Sequence, residues 1–426
     1  MKTKNLALTI TTAASLAIVG CTTSSSDVAS VAPKKLYVVS GQCYSGAGIT
    51  GYTNVTSSRA ITIWNTNNGS FNQTFTDFNV GSNVSAGTAP QSIIDRGDHL
   101  LVLTENPTTM GDRKVYKILK SDTKTFIPYA NDPTAFTAVA TDVIRSMSLD
   151  ADGTLQFSKS FRVEKLNTLG VRISKAGANS WVAPSAATST CFTAAPATTN
   201  FISSVQMMTP FTGTNQGKTL MLVTGATAVT NRISITARTG MTAGTVADCV
   251  GSVAAGGVST VAHTNAANIV GPITFLGTGD SLTSSVYIPT PSPALTTGKL
   301  IVTYSASVVT ALDNTLNFNH GVVMWDITET SDTVATITNP VILYNDSSVV
   351  YAASAIAYDS TTSSIYVATG PSPGLANQTT QNFGYNIEKF TLDIATPKLT
   401  RVSTNNQPFI AGTAQTKCIT DMKLAD

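Results

Sequence analysis

A short apolar strand motif recurs along this chain, and the repetition limits the possible folds more than any other feature of the sequence. Turn residues precede each copy, and Thr-Gly or Pro follows several of them. The clearest copies are residues 36–41, 100–104, 220–225, 286–290 and 365–370, with a weaker copy at 155–157. An alternating second strand follows each copy, at residues 60–65, 114–119, 161–166, 232–236, 322–327 and 386–391. Period-two alternation predicts antiparallel sheets rather than helices.

Six such units predict a ring of small sheets. Each sheet is apolar on both faces, and it can bury both faces only between two neighbours. We therefore expect an all-β fold, a β-propeller with six blades favoured. Seven blades stay possible because residues 298–326 contain one strand more than six units need. A β-helix or two stacked sandwiches would also contain many short strands and is the alternative architecture.

The two ends of the chain are expected to share one blade. Residues 418–426 resemble residues 355–359, the strand that precedes the copy at 365–370. The copy at 36–41 has no such predecessor. The C-terminal strand is therefore predicted to supply the innermost strand of the first blade and to close the ring. Residues 34–426 would then form a single propeller domain.

The N-terminus has the pattern of an export signal. Lys2 and Lys4 precede an apolar run over residues 6–19, which ends at Gly20 and Cys21. The run is too short to cross a bilayer as a permanent anchor. The pattern resembles the signal of bacterial lipoproteins, which implies that residues 1–20 are removed.

The same resemblance implies a lipid anchor. Cys21 would become the first residue and carry acyl chains such as palmitate, which hold the protein on a membrane. Thr22 stands where an aspartate would favour the inner membrane, so the resemblance implies the outer membrane. The small polar residues 22–33 are expected to be a flexible tether.

Composition agrees with an exported β-rich protein. Only 12% of the residues are charged, and loss of Lys2 and Lys4 with the signal leaves 24 basic and 24 acidic residues. A formally neutral chain is not expected to bind nucleic acid. We expect a monomer that meets the membrane only through the lipid on Cys21.

Four cysteines follow Cys21 and are expected to form disulfides. None has the CxxC spacing of zinc or thioredoxin-like sites. Four cysteines in an oxidising compartment permit three pairings. The repeat favours Cys43 with Cys418, at the predicted ring closure, and Cys191 with Cys249. Four free buried thiols are the alternative.

No residue is assigned to catalysis, to a metal or to a cofactor. His99, His263 and His320 lie in different repeats without metal-ligand spacing. Ser281 lies in a Gly-Asp-Ser-Leu sequence that resembles the GDSL hydrolases, but the Asp-x-x-His pair of that family is missing, and a turn is expected there. Residues 150–153 are expected to form a hairpin turn.

The leading functional hypothesis is a non-enzymatic binding or scaffold module. Residues 42–58, 181–200 and 374–385 would present contacts to an envelope protein or a glycan. The domain is similar in general to bacterial envelope propellers and has a loose likeness to the lactonase-type repeat, which places no catalytic residues here.

Two other functions are kept open. One is a hydrolase or lyase acting on lactones or glycans, in which Asp95, Asp142 and Asp359 would meet at the central channel. The other is a structural role in envelope assembly.

Overall fold

The computed structural model describes residues 34–41, 58–80, 83–106, 113–129, 144–149, 153–159, 162–171, 201–207, 219–224, 232–236, 249–254, 257–259, 273–275, 281–290, 297–305, 321–331, 334–344, 349–350, 353–370, 385–403 and 405–425. Residues 33–426 belong to one compact unit. Almost all of the described elements are strands, as the period-two pattern predicts. The predicted signal, the predicted tether and Cys21 lie outside the described residues.

Three sheets contain the first strands of the chain and its last. Sheet 1 has the order β25-β1-β2-β3 and consists of β1 Lys35–Ser40, β2 Ala60–Asn65, β3 Phe71–Asp77 and β25 Ile419–Ala425. Sheet 2 consists of β4 Ala89–Asp95, β5 His99–Glu105, β6 Val115–Leu119 and β7 Asp122–Pro128. Sheet 3 consists of β8 Ile144–Leu149, β9 Leu155–Lys159 and β10 Arg162–Leu166.

Three further sheets follow, and their strands are again in sequence order. Sheet 4 consists of β11 Phe201–Met207, β12 Thr219–Thr224, β13 Arg232–Thr236 and β14 Cys249–Ala254. A ribbon of β15 Gly257–Ser259 and β16 Ile273–Phe275 precedes sheet 5, which consists of β17 Ser281–Thr290, β18 Thr297–Ser305, β19 Gly321–Ser331 and β20 Val334–Tyr344. Sheet 6 consists of β21 Ala355–Asp359, β22 Ser364–Thr369, β23 Asn386–Asp393 and β24 Lys398–Arg401.

The sheets form a propeller arrangement. The first strand of each sheet lies innermost, and β25, β4, β8, β11, β17 and β21 adjoin one another in that order and return to β25. Five sheets are complete four-stranded blades within the described residues, and sheet 3, between sheets 2 and 4, has three described strands. The count of complete blades is therefore five, where the sequence favours six.

The ring closes through the two ends of the chain, which confirms the predicted closure. β25 pairs antiparallel with β1, with Leu424 opposite Leu36 and Lys423 opposite Tyr37. The inner strand of sheet 1 therefore comes from the C-terminal part of the chain and its second strand from the N-terminal part. This pairing covers the edge that β1 would otherwise expose.

Sheet 1 buries both of its faces, as the apolar repeat requires. Leu36 and Val38 of β1 pack in a cluster with residues of sheet 6, while Tyr37 and Val39 pack in a cluster with residues of sheet 2. Alternate side chains of a strand point to opposite faces, so one strand supplies two interfaces. Burying an aliphatic or aromatic side chain contributes about 1.5–3 kcal/mol. The repeated apolar strands therefore hold neighbouring blades together.

One copy of the repeat lies in a different strand of its blade from the other copies. The copy at 286–290 lies in β17, the innermost strand of sheet 5, whereas the other clear copies lie in second strands such as β1 and β22. The true second strand is β18, which is the strand that six units could not place. Both strand positions are apolar and buried on both sides, so their composition does not distinguish them.

Candidate functional site

The two ends of the ring differ in the length of their connections. We call the end where the inner strands begin the upper face and the end where they finish the lower face. Upper-face connections include residues 41–59, 78–88, 129–143, 306–320 and 370–385. Lower-face connections include the short turns 66–70, 96–98, 120–121, 150–154, 360–363 and 394–397, and the longer connections 208–218 and 237–248. Residues 167–200 begin at the lower face, because β10 runs parallel to β8, and lead to β11, which begins at the upper face. The upper face thus carries most of the connecting chain, where binding residues concentrate.

Two of the three predicted contact segments, 42–58 and 374–385, belong to upper-face connections. Of residues 42–58 and 374–385 the structure describes only Ser58 and Tyr385, and residues 181–200 lie outside the described ranges. Tyr385 is buried, and its backbone N–H donates to the carbonyl oxygen of Thr416 at 2.8 Å. Tyr385 itself is thereby fixed to the chain that leads into β25.

A β-bulge recurs near the upper end of the inner strands. In sheet 1, Ile419 and Asp421 lie opposite consecutive residues of β1, so Thr420 is extra. Gln91, Ser203 and Thr283 are the extra residues of β4, β11 and β17. A bulge turns a side chain out of the regular alternation and is frequent beside binding sites.

The same level is recognisable in the two remaining sheets. In sheet 3 both Arg145 and Ser146 fall between paired positions of β8, and their backbone N–H groups donate to Ser158 Oγ at 3.3 and 3.0 Å. In sheet 6 Ser354 precedes β21 and donates its N–H to the Ala368 carbonyl oxygen at 3.0 Å. We call the ring of these positions the bulge level; its members are Thr420, Gln91, Arg145, Ser146, Ser203, Thr283 and Ser354.

Hydrogen bonds join the inner strands just below the bulge level. Asp421 Oδ2 accepts from Ser92 Oγ at 2.6 Å and from the backbone N–H of Ile93 at 3.0 Å. Ser92 Oγ in turn accepts from the N–H of Met147 at 3.2 Å. The other Asp421 oxygen accepts from the N–H of Met422 at 2.9 Å and lies 3.4 Å from Lys423 Nζ. Sheets 1, 2 and 3 are thus linked through one buried carboxylate.

Three side chains at the bulge level bury polar atoms that have no hydrogen-bond partner within the part of the chain that the structure describes. They are Ser354 Oγ, Thr420 Oγ1 and both amide atoms of Gln91, whose side chain is 0% exposed. These residues belong to the consecutive sheets 6, 1 and 2. A buried polar atom without a partner costs about 1–3 kcal/mol, so such a group in a folded protein requires an explanation.

A positive charge lies at the same level. Burial raises the pKa of Tyr385, and the charge of Arg145 acts in the opposite direction on the same phenol. Arg145 belongs to β8 of sheet 3, and Tyr385 directly precedes β23 of sheet 6.

The predicted channel acids do not come together at this site. Asp95 and Asp359 end their strands at the lower face, and Asp142 lies outside the described residues. Asp95 pairs with Lys120 at 2.9 Å and Asp359 with Lys34 at 3.1 Å. Their Oδ1 atoms also accept from the N–H groups of Gly97 and Thr361, two residues further on. Each aspartate side chain thus forms an Asx turn with the backbone that follows it, which explains why an aspartate ends each of these strands.

The environment of Asp359 favours its charged form. Burial acts to raise the pKa of this carboxyl group, but hydrogen bonds from Thr362, Lys34 and the Thr361 N–H outweigh it, and the pKa is lowered. Asp359 therefore serves as a charged fixing point for Lys34 at the lower face.

The other sequence candidates lie elsewhere. His99 Nδ1 is 2.6 Å from Asp98 Oδ1 at a lower-face turn, and His263 and His320 lie outside the described residues. Ser281 opens β17 opposite Ser305, so the Gly-Asp-Ser-Leu sequence does not place it in a turn as expected. Within the described ranges, no group of three or more His, Cys, Asp or Glu side chains is arranged to hold a metal ion.

Cys418 is disulfide-bonded. Its predicted partner Cys43 and the third cysteine, Cys191, lie outside the described residues. Cys249 begins β14, the outermost strand of sheet 4. The carbonyl oxygen of Cys418 accepts from the N–H of Gly41 at 2.9 Å.

Two buried ion pairs involve residues that the sequence does not single out. Arg401 donates to both carboxylate oxygens of Glu388 at 2.8 Å within sheet 6, and burial raises the pKa of Glu388 although Arg401 opposes the shift. Arg113 pairs with Glu105, whose Oε2 accepts from the N–H of Ile144 at 3.2 Å. A glutamate inside an apolar strand is the only signal that such a pair leaves in the sequence.

Comparisons with known proteins extend only to the fold. No protein-family model matches the chain, and no curated protein matches it in sequence. A protein of unknown function from Bacteroides caccae has 9% identity and a TM-score of 0.45, with 92% of this chain and 98% of that chain covered.

Two other solved structures are similar at the same low level. Hydrazine synthase from Kuenenia stuttgartiensis has 10% identity, coverage of 77% and 71%, and a TM-score of 0.38. The allergen Mala s 1 from Malassezia sympodialis has 9% identity, coverage of 73% and 80%, and a TM-score of 0.34. At these scores no function is transferred, and the propeller assignment rests on the strand order above.

Proposed function

We propose that this protein is a lipid-anchored binding module of the bacterial cell envelope, attached to the outer membrane through acylated Cys21. A six-bladed ring, with sheet 3 as its sixth blade, presents the upper face to an envelope protein or a glycan. The part of the chain that the structure describes contains no helix with the length and hydrophobicity that a bilayer crossing requires.

The observation that carries the proposal is the direction of β1. Lys34 enters the sheet at the lower face, where its Nζ lies 3.1 Å from Asp359 Oδ1, and Gly41 leaves it at the upper face. Lys34, the first described residue, thus enters the domain at the face with short turns. A small polar segment of this length spans about 20 Å on average. The attachment leaves the face with the long connections uncovered.

Loop exchange tests which face binds. Full-length protein purified in detergent is compared with a variant in which residues 374–384 are replaced by a short Gly-Ser linker. The matched control replaces the lower-face turn 394–397. Both are tested for capture of envelope components and for binding on a glycan array, and any captured component is purified and retested with the same three proteins.

Loss of the interaction in the upper-face variant, with retention in the lower-face control, is the expected result. Retention in the first and loss in the second would contradict the proposal. Incorporation of labelled palmitate that disappears in Cys21→Ser checks the anchor separately.

A further inference from the structure

The hairpin turn between β4 and β5 carries two opposite charges at its tip. Its three residues, Arg96, Gly97 and Asp98, are all exposed at the lower face of sheet 2. The Arg96 guanidinium group forms neither a hydrogen bond nor an ion pair with any residue that the structure describes. The Asp98 side chain is 72% exposed, although its Oδ1 atom lies 2.6 Å from His99 Nδ1. Both charged groups can therefore be reached by a partner without any movement of the fold.

Hydrogen bonds fix the backbone of this turn. The N–H of Asp98 donates to the carbonyl oxygen of Arg96 at 3.2 Å, and Gly97 between them has a φ of +84°, which is the geometry of a γ-turn. The N–H of Arg96 donates to the His99 carbonyl oxygen, and the N–H of Lys120 donates to the Asp98 carbonyl oxygen, both at 2.9 Å. The Cα atoms of the two charged residues are therefore held closer than the about 7 Å that two extended residues span.

Gly97 keeps the tip of the turn open. A Cβ atom added there would have no atom within 4 Å, so the backbone between the two charges faces open space. Glycine adopts a positive φ at little cost. A partner that binds both charges can thus approach the turn closely.

The surroundings of Asp98 favour its charged form. Its hydrogen bond with His99 is the largest cause that lowers the pKa of this carboxyl group, and the charge of Lys117 acts in the same direction. Carboxylate oxygens are the ligands that Mg²⁺ and Ca²⁺ prefer, and a guanidinium group pairs with a carboxylate through two parallel hydrogen bonds. A partner that fits the turn therefore offers a bound divalent cation and, close to it, an acidic side chain.

We propose that the turn at residues 96–98 binds a receptor protein that coordinates the Asp98 carboxylate through a divalent cation and pairs Arg96 with an acidic side chain. Because the turn is fixed before binding, little conformational entropy is lost when the complex forms. The inference goes beyond the proposed function, since it concerns the lower face and a second partner.

The proposed tether leaves space for such a partner. Residues 22–33 would reach about 40 Å when extended, whereas a small domain is about 30 Å across. A receptor domain can therefore reach a lower-face turn of the anchored protein.

The probe is an immobilised integrin ectodomain, because integrins bind Arg-Gly-Asp peptides through a bound divalent cation. Binding of the full-length protein in detergent is measured by surface plasmon resonance in Mg²⁺ and again in EDTA. We expect saturable binding in Mg²⁺ that is lost in EDTA. A Gly-Arg-Gly-Asp-Ser peptide should compete with the protein, and a Gly-Arg-Gly-Glu-Ser peptide should not.

Two variants of the turn test the two charges. Asp98→Glu keeps the charge but moves the carboxylate by one methylene group, and Arg96→Gln removes the guanidinium group. Each is expected to weaken binding at least about tenfold, as for the loss of hydrogen bonds between charged groups. Asp122→Glu is the matched control, because Asp122 is an exposed acid beside the neighbouring lower-face turn of the same sheet. It should leave binding unchanged, and all three variants should unfold at nearly the wild-type temperature because they lie at the surface.

No saturable binding to the folded protein, binding that persists in EDTA, or equal binding by the wild type and Asp98→Glu would each overturn the inference. The proposed function is judged by a different protein. The variant in which residues 374–384 are replaced should bind the integrin as the wild type does, so failure of the lower-face site and failure of the upper-face function are distinguishable.

Discussion

Asp421 Oδ2 accepts a hydrogen bond of 2.6 Å from Ser92 Oγ, and the two residues are 329 positions apart in the chain. The bond joins the last strand of the protein to the innermost strand of sheet 2. The N–H groups of Ile93 and Met422 donate to the same carboxylate. The ring is therefore closed by side-chain bonds as well as by the β25–β1 pairing.

Replacing Asp421 tests this closure. Asp421→Asn keeps the shape but replaces one acceptor oxygen with a donor, which opposes the donors that face it. We expect the free energy of unfolding to fall by about 2–4 kcal/mol, as for buried carboxylates that lose their bonds. Chemical denaturation measures the change. Asp393→Asn is the control, since Asp393 accepts from Thr396 in an exposed turn, and it should cost less than about 1 kcal/mol. Equal effects would show that the carboxylate does not hold the ring.

The close approach at Gly41 gives a second test. Any side chain there meets the Pro90 carbonyl oxygen and Thr420 Oγ1 at 2.4 Å, and the backbone atom cannot move aside easily. Gly41→Ala is expected to destabilise the protein by about 1–3 kcal/mol through overpacking. Gly97→Ala is the comparison, because Gly97 has open space but a φ of +84°. It should cost about 1 kcal/mol, the strain of the left-handed backbone alone. A smaller loss at position 41 than at position 97 would contradict the packing.

The raised pKa of Glu388 sets the direction in which its contribution to the free energy of unfolding changes with pH. Its pKa is raised in the folded protein, chiefly by burial, so the folded state holds the proton more tightly than the unfolded state. Its contribution to stability is present below the unfolded pKa of about 4.3 and is lost as the pH rises through the folded pKa. The difference in unfolding free energy between wild type and Glu388→Gln should therefore decrease as the pH rises above about 4. A difference that increases over this range would contradict the raised pKa.

The lowered pKa of Asp359 gives its contribution to the free energy of unfolding the opposite pH dependence. Its folded pKa is lowered because hydrogen bonds from Thr362, Lys34 and Thr361 outweigh burial. Its contribution is present above the unfolded pKa of about 3.9 and is lost as the pH falls through the folded pKa. Denaturation of wild type and Asp359→Asn between about pH 2 and pH 6 should show a wild-type advantage that grows with pH. A constant difference would mean that Lys34 does not hold the carboxylate.

Ring closure could be predicted from the sequence because it depends on local patterns. The copy at 36–41 lacks a preceding strand, and residues 418–426 supply one, so the pairing of β25 with β1 follows from the strand count. The position of the copy at 286–290 could not be predicted from the sequence, because an inner strand and a second strand are equally apolar. Only the register of β17 with β18 distinguishes them.

The candidate site could not be predicted, because a bulge is a property of two strands. Gln91 is extra only because Pro90 and Ser92 lie opposite consecutive residues of β5. In the sequence it is one polar residue in a strand. Asp95 and Asp359 were more conspicuous as channel candidates, yet each serves a turn and a lysine at the lower face.

The disulfide at the ring closure is the last prediction. Cys418 is disulfide-bonded, and its carbonyl oxygen accepts from Gly41, two residues before Cys43. Two residues of extended chain span at most about 7 Å. The two Cα atoms of a disulfide are about 4.4–6.8 Å apart, so Cys43 is within reach of Cys418. Cys249, in the outermost strand of another sheet, has no such connection. Mass spectrometry of non-reduced peptides should therefore show Cys43 linked to Cys418, and Cys191 linked to Cys249.

Replacing both Cys43 and Cys418 by serine should lower the free energy of unfolding by about 2–5 kcal/mol, because the bond joins the two ends of the folded chain. A Cys43 peptide that is free, or linked to Cys191, would remove the covalent lock and leave closure of the ring to β25 and Asp421.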